Sequence, residues 1–231
     1  MQILRYEDLP QGGFAGLLER QFVTDFRVFG ARKKPLAANG IGNFVYLADA
    51  SFQPHGETGM HPHREIDVIS VMVDGRVQHE GSLENGQNLE AGMVQVQRAG
   101  AEGFTHNEIN PDESVNHMIQ LWVLPDEAGQ PAGYRVYSPK IGDRMKVYGG
   151  PKVDKNPGQA EHFDSKTLID VAMVNSGQTV EQDGEFMAYI TRGSGIANGQ
   201  EVGAQTLIRD TGLEFKANSE TQMILIYTGL Q

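Results

Sequence analysis

Val68-Ile69-Ser70-Val71-Met72-Val73-Asp74-Gly75 decides the fold class. It is a mostly β-branched apolar run closed by Asp-Gly, the signal for a strand entering a hairpin turn. Arg76-Val77-Gln78-His79-Glu80 then reads as the returning strand, and Asn85-Gly86 as the next turn. Met93-Val94-Gln95-Val96-Gln97 alternates apolar and polar residues with period two, the mark of a half-buried strand. His117-Met118-Ile119-Gln120-Leu121-Trp122-Val123-Leu124, closed by Pro125-Asp126, is the longest strand candidate. No stretch makes a convincing amphipathic helix, so the chain reads as all-β.

A second region follows the same plan. Phe186–Ile190 runs into Gly193 as the first run meets Gly75, and Asn198-Gly199-Gln200 echoes Asn85-Gly86-Gln87. Thr206–Arg209 ends at Thr211-Gly212, and Ser219–Ile226 matches the strand around Trp122. Four correspondences in one order point to two copies of one antiparallel β-barrel unit. The expected division is an N-terminal barrel over 1–135, a connector over 136–165 and a C-terminal barrel over 166–231. The connector region is rich in Pro, Gly and Lys.

The 231 residues include no cysteine, which excludes disulfides, thiolate–zinc sites and Cys nucleophiles. A cytoplasmic location fits that absence. The N-terminus lacks a signal-peptide pattern, and no apolar run is long enough to span a bilayer. The net charge of −11 argues against direct nucleic-acid binding, which needs a basic face. The compact basic cluster Arg32-Lys33-Lys34 reads as a solvated loop.

Chemistry concentrates at two short pairs, His61-Pro62-His63 and His106-Asn107-Glu108. On a strand, residues two apart share a face, so each pair aims both its donors into one interior. Pro62 has no backbone donor and suits a strand start or edge. Two such pairs on facing strands would close on one ion. Three imidazoles and a carboxylate suit Fe, Mn, Ni, Co, Cu or Zn without choosing among them. The second region has no histidine at equivalent places; Gln178, Gln182 and Glu185 stand near them, so a metal is expected in the first barrel alone.

Gly59-Met60-His61-Pro62-His63, then Asp67, Gly75, Ala99-Gly100, His106-Asn107-Glu108 and Gln120-Leu121-Trp122-Val123, resemble the pirin family of bicupins. The similarity is greatest to bacterial members identified as quercetin 2,3-dioxygenases. It implies two barrels of cupin type and a metal held by His61, His63, His106 and Glu108, with Fe(II) the first choice. It also implies oxygenolysis of a flavonol such as quercetin by O2, with Glu108 as general base. A second reading is a non-catalytic, metal- and redox-sensing regulator that binds a protein partner. Asp67 stands where the family usually has Glu, which bears on the hydrogen bonds around the site. Residues 26–42 also depart from the usual family opening.

His79 and His117 lie on predicted strands and read first as structural, second as pocket residues or supports of the ligands. His55 reads as an exposed loop residue, His162 as a connector residue and Trp122 as core. No nucleophile elbow, phosphate loop or dinucleotide fingerprint is present.

Overall fold

The computed structural model describes residues 1–151 and 162–229. β1 (Gln2–Arg5) is followed by β2 (Gly12–Phe14) and β3 (Leu17–Thr24). A short helix, α1 (Phe26–Phe29), is capped by Asp25, whose carboxylate accepts from the Arg27 N–H. Next come β4 (Phe44–Phe52), β5 (His61–His63), β6 (Asp67–Asp74), β7 (Arg76–Gly81) and β8 (Gln87–Glu90). They are followed by β9 (Val94–Arg98), β10 (Phe104–Ile109), β11 (His117–Val123) and β12 (Gly133–Tyr137). The chain closes with β13 (Arg144–Gly150), β14 (Ser165–Val174), β15 (Thr179–Arg192), β16 (Ser194–Ala197), β17 (Gln200–Gly203), β18 (Thr206–Ala217) and β19 (Thr221–Thr228). The all-β, antiparallel reading stands.

Two compact units result, one of Leu9–Ser138 and one combining Met1–Asp8 with Pro139–Gln231. This division differs from the expected one at both ends. β1 pairs with β18 through Gln2↔Arg209 to Arg5↔Thr206, which ties the N-terminus to the C-terminal unit. The region expected as connector carries β13, paired with β14, because Met145, Val147 and Tyr148 supply apolar side chains inside a Gly- and Lys-rich stretch. The part of that connector over 152–161 lies outside the described residues.

In the Leu9–Ser138 unit, one sheet runs β12-β9-β6-β11-β4-β3-β2 and the other β5-β10-β7-β8. The hairpin expected at Asp74-Gly75 does not form. β6 is a central strand, already paired with β11 on one side and β9 on the other, so it has no free edge for β7. Gly75, at φ 68° and with Asn116 packed where a side chain would be, turns the chain across to the second sheet. There β7 pairs with β10 and makes its hairpin with β8 through Asn85-Gly86.

Cross-strand rungs layer the interior of this unit. Met118↔Met72 begins an apolar layer with Phe52, Val77 and Leu89. Gln120↔Ser70 and Ser70↔Gln95 form a polar layer. Trp122↔Val68 leads into an apolar layer with Ala99 and Phe104. β9 is not half-buried as its alternation suggests. All its residues are buried, and the glutamines face inward. In the other unit, Ala172, Val174, Phe186, Ala188, Ile190, Ile208, Phe215, Met223 and Leu225 belong to one buried apolar cluster.

Candidate metal centre

β5 and β10 are neighbours in one sheet, not facing strands. Their register sets His61 opposite His106 and Phe104 opposite His63. β5 is the edge strand, so the missing N–H of Pro62 breaks no ladder on the outer side. Period two turns His61 and His63 inward and leaves Pro62 exposed. One donor nitrogen from each of His61, His63 and His106 falls within 4.8 Å of the others, a group able to hold a metal ion.

The ring tautomers bear on whether these residues suit a cation. His61 Nδ1 lies 2.8 Å from the Gly59 carbonyl, which accepts only from an N–H. His61 therefore carries its proton on Nδ1 and a lone pair on Nε2. The Gln97 amide sits with Nε2 3.1 Å from His106 Nδ1, and its Oε1 is buried without a partner. With that amide turned over, Oε1 would accept the ring N–H and His106 too would present a lone pair on Nε2. The two Nε2 atoms are 3.0 Å apart. With a proton on one of them they share a hydrogen bond; with a lone pair on each they face a common point where a cation would be held. His63 Nε2 is buried with no hydrogen-bond partner. Burial, with the neighbouring histidines, holds His63 down at about 4 and His106 at about 2, so these two rings favour the neutral form that binds metals. The donor set fits a divalent transition ion.

Glu108 lies below this group in the polar layer and is completely buried. Ser70 Oγ donates to its Oε1 at 2.8 Å, Gln95 Nε2 to Oε1 at 2.7 Å and Gln120 Nε2 to Oε2 at 3.0 Å. These neutral donors orient the carboxylate without supplying a countercharge. Burial pushes it up to about 7 despite the three hydrogen bonds. Its oxygens fall outside the three-histidine group.

Asp67 is buried away from the group, where its carboxylate accepts from Arg98 Nε and the Ala99 N–H, both at 3.2 Å. His117 faces Asp49, with Nε2 and Oδ1 2.8 Å apart, and takes no part in the cluster. His55 is exposed beside Glu113. His79 is drawn to the cluster, its ring centre 5.5 Å from that of His106. Trp122 is half-buried, stacks on Tyr46 at 4.3 Å and meets His63 edge-on at 5.8 Å. It packs on the Val68, Ala99 and Phe104 cluster, as a core residue does, and also borders the site. Ser70, Gln95, Gln97 and Gln120 escaped sequence reading, although glutamines repeating at period two in an otherwise apolar strand were their trace.

Residues 26–123 match the Pirin family model. Among curated proteins, the chain is 23% identical over 176 residues to the quercetin 2,3-dioxygenase of Escherichia coli K12, covering 72% of this chain and 74% of that one. It is 27% identical over 198 residues to a Zymomonas mobilis protein whose name proposes the same activity, covering 78% and 80%. Among solved structures, the Escherichia coli bacterial pirin YhhW in complex with nickel(II) aligns with TM-score 0.80 at 18% identity over 97% of each chain. A quercetin 2,3-dioxygenase of Acinetobacter baumannii aligns with TM-score 0.68 at 16% identity, covering 99% of this chain and 85% of that one. At these identities the structural likenesses carry the fold, which is that of the bicupins. Residues 26–123 therefore carry the Pirin domain, and the curated relatives and the shared fold make this chain similar to the pirin proteins.

Proposed function

We propose that this protein is a metal-dependent dioxygenase of pirin type that acts with O2 on flavonols or similar hydroxylated aromatics. His61, His63 and His106 would hold the ion, with Glu108 as the fourth ligand, and iron is the first candidate. The observation that carries the reading is the convergence of three imidazoles on one point, with His61 Nδ1 held by the Gly59 carbonyl and His106 Nδ1 by the Gln97 amide. A divalent transition ion bound there supplies Lewis acidity and open positions for oxygen donors.

The protein's own contribution follows from its residues. Glu108, on the same strand as His106 and held by three hydrogen bonds, is placed to take the proton of a substrate hydroxyl. Ser70, Gln95 and Gln120 keep the carboxylate aimed whichever form it takes. Val68, Phe104 and Trp122 form an apolar boundary on one side of the polar layer, which strengthens each polar contact within. The names of the relatives favour a flavonoid over other aromatics. Among the described residues no helix is long and apolar enough to cross a membrane.

The test reconstitutes the protein separately with Fe(II), Mn(II), Co(II), Ni(II) and Cu(II), and follows quercetin absorbance and oxygen uptake together. Equimolar consumption of both, absent in His61→Ala, is the expected result. Full metal occupancy with no consumption in any preparation would overturn the proposal and favour the regulatory reading.

A further inference from the structure

His79 is completely buried, and neither of its ring nitrogens has a hydrogen-bond partner. Burying a polar ring with both nitrogens unsatisfied is unfavourable, so its retention calls for a reason. Its place in the fold narrows that reason. On β7 it stands directly opposite Glu108, and its ring centre is 5.5 Å from both His106 and Tyr134. It is therefore on the same inward face as the candidate ligands. Yet it falls outside the three-histidine group, whose donor atoms lie within 4.8 Å of one another. Gly81 makes room for the ring, because a Cβ there would come within 2.8 Å of His79 Nε2.

The imidazole is thus next to the cluster without being part of it. We propose that His79 is a ligand-contact residue of the site, hydrogen-bonding a hydroxyl or carbonyl oxygen of an aromatic substrate bound at the three histidines. A neutral imidazole offers one donor and one acceptor, which suits a hydroxylated ring in either role. The proposal rests on the metal-centre reading above and adds a residue that discriminates among its substrates.

The test uses nickel(II)-reconstituted protein and 4-nitrocatechol as a coloured probe that needs no turnover. Wild type, His79→Leu and His79→Gln are compared in metal content, probe affinity and melting temperature. The expected result is one ion per chain in all three. Probe binding should weaken about tenfold in His79→Leu and recover most of that loss in His79→Gln. His79→Leu should melt no lower than wild type, since it removes an unsatisfied buried group. Unchanged probe affinity in His79→Leu, or a wild type that takes up nickel but ignores the probe, would overturn the proposal. So would loss of the ion in both variants, which would make His79 a ligand, or a lowered melting point with unchanged probe affinity, which would make it structural. A wild type that takes up no ion defeats the metal-centre reading itself and this proposal with it.

Discussion

Gln97→Leu isolates the part of the site that the protein adds beyond its three imidazoles. Gln97 touches no candidate ion; it acts by meeting His106 Nδ1 at 3.1 Å. Without it, the His106 proton can sit on either nitrogen, and the ring is free to turn. Loss of such a supporting hydrogen bond typically weakens metal binding about 10- to 100-fold, which corresponds to roughly 1.4–2.7 kcal/mol. The cost to the fold should be small. Leu fills similar volume. The assay is competition for Ni(II) or Co(II) against a chromophoric chelator, with urea unfolding of the metal-free protein run in parallel. The reasoning requires the affinity to fall while the unfolding midpoint stays close to wild type. Equal affinity in Gln97→Leu would refute the tautomer argument. An affinity loss matched by a large drop in midpoint would mean that Gln97 serves the fold.

Other expectations follow from the same geometry. His61→Ala should abolish stoichiometric ion uptake and the rise in melting temperature that a bound ion confers on the native state; elemental analysis and a thermal scan with and without metal check both, and full occupancy would show that His61 is no ligand. The metal-free protein should lose stability as pH falls from 7 to 5. His106, His63 and His79 are held neutral in the fold, at about 2, 4 and 4, but take up protons in the unfolded chain below about 6.5. The contribution of a fully buried ring such as His106 is at most about 1.4 kcal/mol per pH unit over that window. Glu108, raised to about 7, opposes this by easing as pH falls, but it is one group against three. A urea midpoint at pH 5 equal to or above that at pH 7 would contradict the assignment. Asp67→Asn should lower stability by about 3 kcal/mol by removing the carboxylate that faces buried Arg98, with ion content unchanged; lost metal binding would tie Asp67 to the site.

The residue types and spacing of His61-Pro62-His63 and His106-Asn107-Glu108 were legible in the sequence, because period two on a strand settles which side chains share a face. So were the all-β class, most strand positions and the Asn85-Gly86 turn, since these depend on local preference and on turn chemistry. Partnership was not legible. Asp74-Gly75 marks a turn, but whether β7 folds back on β6 depends on whether β6 has a free edge, which β9 and β11 decide from far along the chain. That choice carries β7 to the second sheet and sets His79 opposite Glu108. The glutamines of β9 were misread for a related reason. Alternation reports two unlike faces but not which face meets water, and here the polar face was turned inward to serve His106 and Glu108. Local sequence thus determined the elements and the donor atoms. Only the tertiary structure decided which strands became neighbours and what each inward side chain met, because non-local pairing depends on every strand competing for the same edges.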